Sequence, residues 1–286
     1  MYDVLFAPSR GEYAGKGKPP VDCIFCAIRD EDPRVWTRLI YKDDQVIVLM
    51  NIFPYSPGHI QVIPARHVET IADLSDPEIE YSLDYVQRSL HLARQVMRPD
   101  GFNIGMNLGE AGASIAHLHF QIVPRYLNKP AVTEQADIHR LCLDNVGLLS
   151  VPPPRRRWEK KKRAKRPRYP LRSDDVLISY LSERPYNRGH VIISPRSDNV
   201  DSPPHVLAHL LREVQRVEDA LRAVYHPVGL NIGANIGSVP NASDTLKIHV
   251  VPRFDPESGF MEVIGDTRVV IETLDQTYKK LVAVLK

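Results

Sequence analysis

The chain has 286 residues, 43% of them apolar and 25% charged, a balance that excludes a collagenous, disordered or disulfide-stapled protein. At roughly 100–200 residues per domain, its length favours two domains over one. The formal net charge of +2 is a cancellation: residues 153–170 carry ten Lys/Arg against Glu159, a local +9, and the remainder holds 27 basic against 34 acidic groups.

No stretch approaches the ~18 consecutive apolar residues of a membrane span, and Met1 to Arg10 lacks a charged segment followed by an apolar core. The expectation is a cytoplasmic protein with no membrane partner. Cys23, Cys26 and Cys142 are too few and too oddly numbered for a disulfide framework. Cys23-Ile-Phe-Cys26 reads either as a redox pair or as two of the four ligands that a closed zinc site requires.

The first regular elements are the apolar runs Val46 to Met50 and Ile60 to Ile63, joined by Pro54-Tyr-Ser-Pro-Gly58, which predict an antiparallel hairpin. A long helix follows. Ser75 and Glu78 have capping-box spacing, Ile79, Leu83, Val86, Leu90, Ala93 and Val96 recur at helical spacing, and Pro99 marks the end. Next comes the glycine-rich run Gly101 to Gly109, and then a strand from Ser114 to Arg125. Side chains alternate along a strand, so His117, His119 and Gln121 share one face while Leu118, Phe120 and Ile122 enter the core. The basic band 151–170 is expected to be a linker or a remodelled strand start.

The same order then returns. Pro185-Tyr-Asn-Arg-Gly-His190 repeats Pro54 to His59 at an offset of 131, and Gly229 to Gly237 and Val250 to Arg253 repeat Gly101 to Gly109 and Ile122 to Arg125 at 128. Leu177 to Leu181 and Val191 to Ile193 predict a second hairpin, and Val206, Leu210, Val214, Val217, Leu221 and Val224 a second helix. The chain is a tandem duplication. The expected fold is α+β: two domains, 1–150 and 171–286, each a mostly antiparallel sheet packed with a long helix.

From CIFCAI through YSPGH and VIPARHV to HLHFQIVPR, the first copy resembles the histidine triad (HIT) superfamily. The Gln form of the motif is similar to the transferase branch, which includes galactose-1-phosphate uridylyltransferases and dinucleoside tetraphosphate phosphorylases. This resemblance implies two tandem HIT-like domains forming an intramolecular pseudo-dimer, with a further homodimer left open. It implies that His119 is the nucleophile, forming a nucleotidyl phosphoramidate in a ping-pong cycle. Gln121 would donate to a non-bridging oxygen without changing protonation, and Ser114 would contact the leaving or entering phosphate. Asn51 would bind ribose hydroxyls and Asn107 joins the nucleotide-binding set. Phe25, Ile28, Leu49 and Ile52 would wall the nucleobase, although for any one of them plain core packing is the stronger reading. A structural zinc would sit on Cys23, Cys26, His67 and His117. The segment Phe260 to Leu281 resembles the tail of phosphorylase-like members, and Gly259 to Lys286 would reach towards the first copy's site.

The second copy has Thr245, Lys247 and His249 at the triad positions, Asp198 in place of His67, and Pro154 and Arg157 in place of the cysteines. It is therefore expected to be catalytically degenerate. The implied activity is nucleotidyl transfer from a nucleotide or nucleotide sugar to a phosphate-bearing acceptor, with dinucleoside polyphosphate phosphorolysis ahead of sugar 1-phosphate uridylyl exchange. Against the exchange stand Leu118, Phe120 and the tail sequence Val263-Ile-Gly-Asp266. Deadenylation of nucleic-acid ends, with the basic band touching phosphates, and non-catalytic nucleotide binding are the readings of other classes.

Overall fold

The computed structural model describes residues 19–109, 115–128, 130–154, 167–196, 200–238, 246–254 and 272–285. In the first copy, α1 (Ile24–Arg29) precedes β1 (Arg38–Lys42), β2 (Val46–Met50) and β3 (Ile60–Pro64). The long α2 (Asp76–Met97), β4 (Gly101–Gly109), β5 (Phe120–Arg125) and α3 (Gln135–Asp144) follow. The second copy runs β6 (Pro170–Ser173), β7 (Leu177–Leu181), β8 (Val191–Pro195), α4 (Pro204–Tyr225), β9 (Gly229–Gly237), β10 (Ile248–Arg253) and α5 (Leu274–Val284). The fold is α+β with antiparallel pairing. The strands neighbour one another as β1-β2-β3-β5-β4 in the first copy and as β6-β7-β8-β10-β9 in the second.

The chain divides into two compact units, Met1–Gly105 with Ile115–Arg155 and Asn235–Asp244, and Met106–Ser114 with Arg156–Ala234 and Thr245–Lys286. The division falls inside β4 and β9. Asn103 Nδ2 donates to Asn235 Oδ1 within the first unit, and Asn231 Nδ2 donates to Asn107 Oδ1 at 2.8 Å within the second.

Each repeated residue has the same local task in both copies. Asp43 Oδ1 accepts from the Gln45 and Val46 amides, and Asp174 Oδ1 accepts from those of Val176 and Leu177, so each carboxylate turns the chain into its strand. Gly58 and Gly189 both lie at φ +80°, and a Cβ would fall 1.8 Å from Met97 Sδ at the first and 2.7 Å from Leu221 Cδ2 at the second. The capping box of Ser75 and Glu78 opens α2, and Arg98, in the left-handed region at φ 49°, ends it before Pro99. Ile79, Leu83, Val86, Leu90 and Ala93 form its buried stripe. α3 packs on α2 and β1, and α5 packs on α4 and β6, so the repeat extends to a terminal helix in each copy. No helix among the described residues is long and apolar enough to cross a membrane.

Among the described residues of the second unit, Glu213 and Glu218 are buried carboxylates. Glu213, on α4, accepts from Ser179 Oγ at 2.6 Å, from Arg216 Nη2 at 2.8 Å and from Arg172 Nη1 at 3.0 Å. Burial alone would push this carboxyl up, but the bonds from Arg216 and Ser179 outweigh burial and hold it below its ordinary 4.5. Its contribution to stability is therefore full above about pH 4.5 and is lost as pH falls through the lower folded value. Because both arginines keep partial solvent access, Glu213→Ala should cost about 2 kcal/mol, less than for a fully buried pair. Urea unfolding at pH 7 and pH 3.5 checks both statements: the deficit of Glu213→Gln against the parent should shrink at the lower pH.

Candidate active site

Cross-strand register places a polar row on the face of the first sheet opposite α2. Leu49 pairs with Gln61, Gln61 with Gln121, and Gln121 with Gly105. Directly paired residues point to the same side, so Gln61 and Gln121 lie side by side, and Gly105 adds no side chain beyond them. Ile47, Leu49 and Ile63 continue the same face and form one buried cluster with Phe25 and Ile28 of α1.

The histidine segment lies just before β5, rather than inside the strand, with a bend over residues 115–117. Val62 pairs with Phe120, and continuing this register would set Ile63 opposite His119 and Pro64 opposite Leu118, where Pro64 has no N–H to continue the ladder. The Leu118 amide donates instead to Val68 O at 2.7 Å, and the Pro64 carbonyl accepts from the ring of His117 at 2.9 Å. The break in the strand thus turns His117 into a backbone-anchored side chain.

This anchoring fixes both imidazoles. A carbonyl can only accept, so His117 Nε2 carries the proton and its Nδ1 lone pair faces Cys23 Sγ at 3.4 Å and Cys26 Sγ at 3.8 Å. His67 Nδ1 lies 3.4 Å from Cys26 Sγ, and the four donor atoms all fall within 4.8 Å of one another. Zn–S near 2.3 Å and Zn–N near 2.05 Å put the sulfur-to-nitrogen edge of a tetrahedron at about 3.5 Å, so the two thiols and two imidazoles fit one zinc ion. His67 Nε2 faces the Glu69 carboxylate at 3.6 Å on the exposed side. Burial pushes His117 down to about 4.

His119 is oriented by the same logic. Its Nδ1–H donates to the His117 carbonyl at 2.8 Å, so Nε2 keeps its lone pair. The ring is 6% exposed, and burial lowers its pKa, against which the bond to His117 works. Phe25 meets it edge to face, with ring centroids 5.1 Å apart. A neutral imidazole with one nitrogen tied to backbone and a lone pair on the other is equipped for nucleophilic attack.

The remaining sequence candidates separate in space. Phe25, Ile28 and Leu49 belong to the buried cluster, whereas Ile52 is half-buried beyond the end of β2. Asn51 follows β2, its Oδ1 accepting from the Phe53 amide at 2.8 Å. Asn107 accepts from Asn231. Ser114, Arg157, Asp198, Thr245, residues 155–166 of the basic band and residues 255–271 of the tail lie outside the described residues.

A HIT domain model matches residues 32–128, from β1 to β5. An uncharacterised HIT-like protein of Methanocaldococcus jannaschii is 30% identical over 125 residues, 43% of this chain and 95% of that protein. The chain belongs to the HIT family. An AP-4-A phosphorylase of Mycobacterium tuberculosis is 43% identical over 90 residues, 31% of this chain and 46% of that protein, so the chain spans about half the length of this HIT relative. The structure of a uridylyltransferase mutant aligns over 99% of this chain and 95% of that one, with TM-score 0.66 and 14% identity. That of an ADP-glucose phosphorylase from Arabidopsis thaliana with bound ADP-glucose aligns over 95% and 94%, with TM-score 0.63 and 14% identity. At such identity these two establish likeness of fold.

Both cysteines precede the matched HIT segment. Sequence reading missed Gln61, whose signal was a lone amide inside the buried run Ile-Gln-Val-Ile-Pro. In the second copy, His249 occupies the Gln121 position. His190 Nδ1 accepts from the Tyr186 amide at 3.1 Å, so its Nε2–H donates to His249 Nδ1 at 3.0 Å, and the pair occupies the positions held by His59 and Gln121 in the first copy.

Proposed function

We propose that this protein is a nucleotidyltransferase working through a nucleotidyl-His119 intermediate, with phosphorolysis of dinucleoside polyphosphates as its reaction. The observation that supports this reading most is the His119 tautomer: Nδ1–H on the His117 carbonyl leaves Nε2 with its lone pair, on a residue just before the strand that carries Gln121. In the proposed first step Nε2 attacks the α-phosphorus. A P–N bond forms, the P–O bond to the leaving polyphosphate breaks, and the cationic imidazole retains its Nδ1–H on the carbonyl. In the second step a phosphate oxygen attacks the same phosphorus and the P–N electrons return to His119, so a dinucleoside tetraphosphate and phosphate yield a nucleoside tri- and diphosphate. Gln121 would hydrogen-bond a non-bridging oxygen in both steps, as a donor that neither gains nor loses a proton. Asn51 would bind ribose, Phe25, Ile28, Leu49, Ile52 and Asn107 belong to the nucleotide-binding reading, and Ser114 is assigned the migrating phosphate.

Cys23, Cys26, His67 and His117 would hold zinc, which when bound supplies a structural cross-link between α1 and the catalytic segment. On this reading residues 1–150 are the catalytic half, 151–170 a linker and 171–286 a degenerate half. The tandem repeat across the chain also supports a second reading, exchange of UMP between a UDP-sugar and a sugar 1-phosphate.

Incubation with diadenosine tetraphosphate plus phosphate, in parallel with UDP-glucose plus galactose 1-phosphate, separates the two. The first pair should yield ATP and ADP in equal amounts. Turnover of the second pair alone would replace phosphorolysis with exchange, and turnover of neither would remove both.

A further inference from the structure

The loop from Asn51 to His59 joins β2 to β3 and begins two residues beyond Leu49, which is paired with Gln61. Its internal bonds are local: the Asn51 amide donates to His59 O at 2.8 Å, and the His59 amide to Ser56 O at 3.2 Å. Gln135, the first residue of α3, clamps it from outside. Its Oε1 accepts from the Gly58 amide at 2.9 Å and its Nε2 donates to Asn51 O at 3.3 Å, so one carboxamide spans both ends of the loop. Reversing the amide would set donor against donor and acceptor against acceptor, so this network allows only one orientation. Tyr126 Oη adds a bond to Pro57 O at 3.2 Å, and Gly58 is itself pinned by its left-handed φ and by Met97.

The second copy holds its equivalent loop through a residue of the loop itself, Asn187, whose Nδ2 donates to Pro252 O at 3.0 Å. It carries Ser182 where the first copy has Asn51. Among the described residues, the helix-borne clamp is found in the copy that keeps His119 and Gln121.

We infer that Gln135 is a positioning residue for the nucleotide donor: it presets the Asn51 loop so that binding does not have to order it. The inference rests on the nucleotidyltransferase reading. Gln135 touches neither His119 nor Gln121 and acts only through the loop backbone, so its removal should raise the cost of binding and leave the chemical steps intact.

The test compares the full-length parent with Gln135→Met, which keeps the volume and loses both hydrogen bonds, and Gln135→Glu, which keeps only the acceptor for the Gly58 amide. With diadenosine tetraphosphate as donor, Gln135→Met should raise KM about tenfold while kcat stays within about twofold. Gln135→Glu, with a carboxylate against the Asn51 carbonyl, should be no better. Amide hydrogen exchange should quicken in the peptide spanning 51–59 and not in those spanning β2 or β5. Unchanged KM and unchanged loop exchange would overturn the inference, as would a fall in kcat at constant KM, which marks general destabilisation. If the parent itself transfers no nucleotide, the functional reading fails on that result alone, and the exchange measurement still decides whether Gln135 orders the loop.

Discussion

Replacement of His119 with alanine should lower nucleotidyl transfer by about 10⁴-fold or more, the loss expected when a covalent nucleophile is removed and only binding and positioning remain. The fold should survive. Among the described residues the His119 ring hydrogen-bonds the His117 carbonyl and meets Phe25 edge to face, so the cost in stability is about 1–3 kcal/mol. Metal content should not change, because His119 is not one of the four clustered donors. Gln121→Ala should be milder, about 10²–10³-fold, as for loss of one hydrogen-bond donor to developing charge. Initial rates with diadenosine tetraphosphate, read beside thermal melts and metal analysis of each variant, separate chemistry from folding. A His119→Ala protein with a tenth or more of the parent activity would exclude the imidazole as nucleophile.

Removal of zinc should have the second largest effect. α1 is six residues long, and Cys23 at its N-cap makes no side-chain capping bond, so the helix depends on Phe25 and Ile28 burial and on its thiols being tied to His67 and His117. Cys26→Ser, or chelation of the parent, should abolish stoichiometric zinc and lower the melting temperature by about 10 °C, corresponding to roughly 3–5 kcal/mol in a chain of this size. His67→Ala should fall between, since His67 lies at the exposed side of the cluster. Metal analysis of protein purified without chelators checks this account directly. One zinc per chain is expected, and none would remove the structural-zinc assignment.

Much of the fold was legible because the duplication states it twice. Periodicity placed both long helices, the capping pair Ser75 and Glu78 placed the start of α2, and the repeated Gly-His turns placed both hairpins. What escaped lacks a local signal. β1 and β6 are short edge strands with partly exposed sequences, and α3 follows an N-cap, Glu134, that makes no side-chain capping bond. The reading of Ser114 to Arg125 as one strand failed at its first half because Pro64, on a different strand, cannot donate to it. That detail matters most for chemistry, since it frees the carbonyls that lock both imidazoles. The metal cluster unites residues up to 94 positions apart, and only the resemblance to HIT proteins joined them in the sequence. Gln61 and Gln135 were invisible for the same reason: their meaning lies in register and in loop contacts, not in spacing.

The most direct test of the covalent account is the mass of the His119 peptide from protein mixed with diadenosine tetraphosphate in the absence of phosphate and quenched in alkali, where a phosphoramidate survives. One adenylyl group per chain should appear on His119, with release of one equivalent of ATP, and it should vanish as ADP when phosphate is added before the quench. Steady turnover with no adduct at His119, or an adduct on another residue, would contradict the account.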